Sequence, residues 1–140
     1  MNIKFAALLP VTVVASACLY VRTNATLLDP TLHLARTCPE AVKLYRLPDR
    51  VQQPYREIAL LNSTGQTLYS DEGDMMKSMR EKAAAVGANG IILGGIEEPN
   101  AITKVVGEVA KAGVDRTGHA MAIYVPGDSA NSAAACAKTR

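Results

Sequence analysis

Three cysteines, Cys18, Cys38 and Cys136, are the residues of this chain whose chemistry depends most on where the chain resides. A thiol can be acylated, oxidised to a disulfide or bound to a metal, and the neighbouring residues decide which. An odd number of thiols is awkward in an oxidising compartment, because the unpaired one invites bridging between molecules. Modifying Cys18 would remove the oddity and leave Cys38 and Cys136 as an even pair. Joined, they would close a loop spanning most of the domain, worth at most about 4 to 5 kcal/mol in the chain-entropy model. Otherwise Cys136, in the weakly patterned stretch after Gly127, stays free. A metal site is the poorer reading, since two cysteines without a nearby pair of histidines lack the spacing that holds tetrahedral zinc.

The other candidate residues read as structural. Gly87-Ala88-Asn89-Gly90 through Gly94-Gly95 is rich in glycine but follows a helical segment. Phosphate loops instead follow a strand and open a helix, so that N-terminal amides face the anion. Helix-cap and strand-bulge glycines fit that order. His33 and His119 are isolated, and Glu97 and Glu98 are adjacent, so an extended backbone turns them to opposite faces. Asp71, Glu72 and Asp74 suit the positive end of a helix dipole and lack the spacing of a calcium loop. Met75, Met76 and Met79 could bind a soft metal or adapt to a partner, but helical spacing points to core packing. No Gly-x-Ser-x-Gly elbow occurs. No catalytic residue, cofactor-binding residue or metal ligand is assigned, and no cofactor is expected.

Cys18 gains its meaning from what precedes it. Lys4 supplies one positive charge, and Phe5 to Ala17 is apolar apart from Thr12 and Ser16. Pro10 interrupts that run, and it falls short of the roughly 20 apolar residues that cross a bilayer, so a cleaved leader of residues 1–17 fits better than an anchor. Ala15-Ser16-Ala17-Cys18 resembles the bacterial lipobox, with Ala15 at the position where Leu is usual. That resemblance implies cleavage between Ala17 and Cys18 and lipidation of Cys18. The same residues satisfy the small-x-small rule of ordinary signal peptidase, which would cleave without lipidation. Leu19 is not the Asp that in enteric bacteria favours inner-membrane retention, so the lipobox resemblance implies an outer-membrane lipoprotein facing the periplasm.

Composition restricts the rest. The chain has 140 residues, enough for one modest domain. Apolar residues make up 49%, but Ala is prominent and aromatics reach only 4%, which argues against a large aromatic ligand site. Fifteen basic and thirteen acidic residues give a formal charge of +2, and losing Lys4 with the leader brings the chain closer to balance. Nothing electrostatic argues for nucleic acid.

Periodicity predicts an α+β fold: a mainly antiparallel sheet of about four strands with one or two helices packed on it. Residues 18–37 read as a lipid-anchored tether, 38–126 as the domain and 127–140 as a disordered tail. Strands are predicted over Ala41–Leu47, Arg56–Asn62, Gly90–Ile96 and His119–Val125, with Ser63-Thr64-Gly65 as a turn. A helix capped by Ser70 or Asp71 presents Met76, Met79, Ala83 and Val86 on one face and ends at Gly87. A second helix is predicted between Pro99 and Gly113 from the stripe Ile102, Val105, Val106, Val109 and Ala110.

The helix leading through Gly87-Ala88-Asn89-Gly90 into Ile91-Ile92-Leu93, preceded by Tyr55 to Leu61, resembles two small bacterial families. One is the RcsF-type outer-membrane stress-sensor lipoproteins; the other is the YbjQ-like group, described as heavy-metal-binding domains. The likeness spans Tyr55 to Leu93. The RcsF-type cysteines near those elements are missing, and no ligand set of the second family carries over. Cys38-Pro39-Glu40-Ala41-Val42 and Tyr55-Arg56-Glu57-Ile58-Ala59-Leu60-Leu61 are similar to segments of bacterial lipoproteins that bring no activity with them. The expectation is a non-catalytic envelope lipoprotein, held to the membrane through its lipid, that contacts or senses other envelope proteins. The alternative is a periplasmic module that binds a small ligand or a metal through the methionines or acidic residues.

Overall fold

Apolar side chains on alternate strand positions need a covering layer, and one amphipathic helix supplies most of it. The computed structural model describes residues 21–67, 69–97 and 115–139. Along the chain come β1 (Val21–Leu27), β2 (Lys43–Tyr45), β3 (Arg56–Gln66), α1 (Glu72–Ala85), β4 (Gly90–Glu97), β5 (Asp115–Tyr124) and α2 (Ser129–Ala137). Single 3₁₀ turns at Pro39–Ala41, Pro48–Arg50 and Pro126–Asp128 each begin with proline, whose fixed φ suits the first position of a helical turn. The leader, Ala17, Cys18 and the helix expected between Pro99 and Gly113 lie outside the described residues.

The fold is α+β, with a five-stranded mixed sheet in the order β1-β3-β5-β4-β2. β3 and β4 each run antiparallel to β5, so they are parallel to one another, and α1 is the crossover between them. β5 fills the place between, and β2 adds to the far side of β4 in parallel. On the covered face Ile58, Ala59, Leu61, Ile91, Ala120 and Ala122 meet Met79, Ala83, Ala84 and Ala88. Alanine on both sides allows helix and sheet to approach closely. On the other face Thr26, Leu60, Met121, Ile92 and Tyr45 share one row across all five strands. A second cluster of Ile92, Ile123 and Val125 is partly roofed there by Val51 and Tyr55.

Four sequence expectations are corrected. The tether, expected to lack regular structure, contains an edge strand, Val21–Leu27, paired with β3 from Val21↔Gly65 to Leu27↔Ala59. Its apolar members are too small and too mixed with Thr and Asn to show a strand period, and the partner strand orders it. Ser63-Thr64-Gly65 is not a turn but the second half of β3, where Ser63 is buried and receives a 3.0 Å hydrogen bond from Thr23 Oγ1. The inward stripe of α1 is Met75, Met79, Ala83 and Ala84, so Met76 is turned away from the centre of the core. The tail beginning at Gly127 holds α2, a helix with no buried residue that is joined to the domain through Cys136.

Candidate functional site

Of the two readings open for Cys38 and Cys136, paired or with Cys136 free, the structure has the first: the two are joined. Cys38 opens the first 3₁₀ turn, Cys136 lies near the end of α2, and their Cα atoms are 5.5 Å apart across a sequence separation of 98. The Cys38 backbone N–H donates to Cys136 Sγ at 3.1 Å. A second link lies nearby: Lys43 Nζ on β2 donates to Asp128 Oδ2 at 2.7 Å. That bond is the main cause holding the Asp128 carboxyl below the usual carboxylate range; burial opposes it, and Asn131 Nδ2, donating to Oδ1 at 3.2 Å, reinforces it. The Lys43 ammonium is raised by the same bond. Both links tie the C-terminal segment to the β2 side of the sheet.

Gly87-Ala88-Asn89-Gly90 has a structural explanation at every position. Gly87 has φ +83°, and a Cβ there would collide with the Leu34 side chain. Ala88 is buried in the helix-facing core. Asn89 is 3% exposed and clamps one backbone residue from both sides: its Nδ2 donates to Val125 O at 2.8 Å, while Val125 N donates to its Oδ1 at 2.7 Å. The side-chain amide thus extends the sheet by one rung beyond β5. At Gly90 a Cβ would come within 2.9 Å of Ile123. The amides of this segment are therefore committed to the fold rather than to an anion.

The remaining expected residues fall as follows. Asp71 caps α1, its side chain accepting from Asp74 N at 2.8 Å while Asp74 Oδ2 accepts from Asp71 N at 3.1 Å. Met75 and Met79 are buried, as core packing requires. His33 is exposed, and His119 is exposed with Nδ1 2.7 Å from Asn62 Oδ1 on the neighbouring strand. Gly94 sits at a register shift in β4, the bulge its type suggested. Among the described residues no group of three His, Cys, Asp or Glu side chains could hold a metal ion, and no helix is long and apolar enough to cross a membrane. Glu98 lies outside the described residues.

Sequence reasoning missed the surface along β2. Two hollows flank this short edge strand and share Leu44. The one toward α1 has a volume of about 420 Å³ and is lined by Leu44 and Met76 together with Lys77, Arg80, Glu40 and Glu81. Arg80 Nε is buried there without a hydrogen-bond partner among the described residues. The other, about 620 Å³, is lined by Leu44, Tyr45, Arg46, Leu47 and Arg50. Leu47 is 53% exposed. The signal in the sequence was the pair Arg46 and Arg50 amid Leu44, Tyr45 and Leu47, which a strand-plus-turn reading passes over as solvent contacts.

Comparison with known protein families finds no matching family model, and no curated protein matches the chain. Among solved structures the chain is similar to the Francisella virulence factor FvfA, in a crystal structure of its orthorhombic form. The two share 17% identity with a TM-score of 0.50, over 73% of this chain and 96% of that one. At that identity the likeness concerns the fold alone.

Proposed function

We propose that this chain is a non-catalytic lipoprotein of the bacterial cell envelope, anchored through an acylated Cys18 to the outer membrane and meeting or sensing other envelope proteins on the periplasmic side. The observation that carries the reading is the bond between Cys38 and Cys136. Structural disulfides persist in exported proteins and are rare in the reducing cytosol. An exported chain gives the apolar segment before Cys18 its use as a leader. The short resemblance to RcsF-type lipoproteins supports the same class. The candidate chemical groups support a role without catalysis, since the glycines, the helix-start acids and the two core methionines each have a structural task.

The test is metabolic labelling with a fatty acid analogue in a bacterial host. The wild-type chain takes up label and sediments with membranes, whereas Cys18→Ser takes up none and appears in the soluble periplasmic fraction. Membrane association that survives the substitution overturns the anchor.

A further inference from the structure

We infer that β1 is the contact between two copies of this chain: the strands pair antiparallel about a twofold axis at Asn24 and join the two sheets into one. The inference goes beyond the envelope reading and does not rest on it. Among the described residues no strand lies outside β1. Leu28 N donates to Ile58 O at 2.9 Å, continuing the register Leu27↔Ala59. Bonded pairs recur at every second position of an antiparallel ladder. Arg22, Asn24 and Thr26 therefore bond to β3, while Val21, Thr23, Ala25 and Leu27 turn their N–H and C=O groups outward. A sheet edge of this kind is normally guarded by proline, a bulge, lysines or brevity. β1 has seven residues, no proline, no register shift with β3 and a single charge, Arg22. The opposite edge, β2, is three residues long.

This edge is complementary to itself. With the axis at Asn24, Val21 opposes Leu27 of the second copy and Thr23 opposes its Ala25, so every outward N–H and C=O of both strands meets a partner. Val21 and Leu27 stand opposite Gly65 and Ala59 of β3, on the helix-covered face, and Leu27 is 41% exposed. Their meeting gives each exposed leucine an apolar neighbour across the strands. Arg22 opposes Thr26, so no like charges meet. Helix α1 adds a second match. Ser78 Oγ lies 2.7 Å from Thr23 Oγ1, which identifies the side of α1 turned to β1; Asp74 and Lys82, four residues before and after, share that side and are exposed. Met75 lies by Gly65, the partner of Val21, and Ser78 lies by Thr23, so α1 runs in the direction of β1. The axis therefore sets the two helices antiparallel, with Asp74 of each copy toward Lys82 of the other across the two serines. Lys82 has no ion pair among the described residues, and Asp74 uses Oδ2 for the helix cap, leaving Oδ1 for Lys82.

The experiment is sedimentation equilibrium of the purified full-length chain carrying Cys18→Ser, which excludes association through that thiol or an acyl chain. The mass should rise with concentration from one chain to two and stop there, because each copy has one such edge. At the axis Asn24 faces its own counterpart in a pair without backbone bonds, where side chains come closest. Asn24→Lys and Asn24→Glu, each alone, set like charges face to face and should weaken association at least about tenfold. Mixing the two variants should restore a dimer containing one chain of each, since opposite charges then meet. Diluted to single chains, both variants should melt with the wild type because Asn24 is exposed. A single-chain mass at every concentration, a dimer indifferent to either charge, or a mixture that stays apart would overturn the proposal.

Discussion

β1 and β2 close the sheet at opposite edges and are secured in different ways. β1 pairs with β3 at seven consecutive positions without a register shift, and Thr23 adds contacts to Ser63 on β3 and to Ser78 on α1, the latter at 2.7 Å. β2 pairs with β4 at only three positions. What its ladder lacks is supplied from the C-terminal segment: the Cys38–Cys136 bond, the Asn89 clamp on Val125 and the Lys43–Asp128 ion pair. A ladder distributes its stability over many hydrogen bonds, each worth about 0.5 to 1.5 kcal/mol net. Three side-chain devices concentrate it instead, so the β2 edge can be loosened one device at a time.

That contrast can be broken most severely at the disulfide. Cys136→Ser should lower the stability to denaturant by about 2 to 4 kcal/mol. In hydrogen exchange the amides of α2 and β2 should lose protection while those of β1 keep theirs. Equal loss at both edges would show that the cross-link acts on the whole domain and would end the distinction. Asn89→Ala comes next. It leaves the buried N–H of Val125 without its partner, while the Val125 C=O keeps the bond from Asp128 N, at a cost of about 1 to 3 kcal/mol read from the urea midpoint at unchanged slope.

The smallest effect belongs to Lys43 and Asp128, whose side chains are 50% and 9% exposed; solvent screening keeps such a pair under about 1 kcal/mol. Its sign is set by the directions of the shifts. The Asp128 carboxyl titrates lower in the folded chain than in the unfolded one, so its contribution is complete above about pH 4 and is lost as the pH falls through the folded value. Lys43 titrates higher when folded, so its share persists at neutral pH and is lost only in strong alkali, as the pH rises through the folded value. Melting curves of the wild type and Asp128→Asn should differ at pH 7 and converge in acid. A gap that widens in acid would reverse the assignment.

Elements with strong local signals are legible in the amino-acid sequence. Asp71 and Gly87 mark the two ends of α1, and Cys38-Pro39 marks the turn before β2. Alternation reveals β5, and the apolar run Ile91-Ile92-Leu93 reveals β4, because a buried strand must carry such residues whatever surrounds it. The surface flanking β2 leaves no comparable trace, since its side chains come from the strand, the following turn and two turns of α1, far apart along the chain.

The sequence by itself therefore determined the α+β class, the limits of α1, the structural character of its glycines and the candidacy of Cys18, Cys38 and Cys136. These follow from backbone conformation, hydrophobic period and thiol chemistry, all of which act over a few residues. Only the tertiary structure decided that Val21–Leu27 is a strand, that Met75 rather than Met76 faces the core, and that the last residues form a helix. Each of those outcomes depends on a partner distant in the chain: β3 for the first, the sheet face for the second and Cys38 for the third.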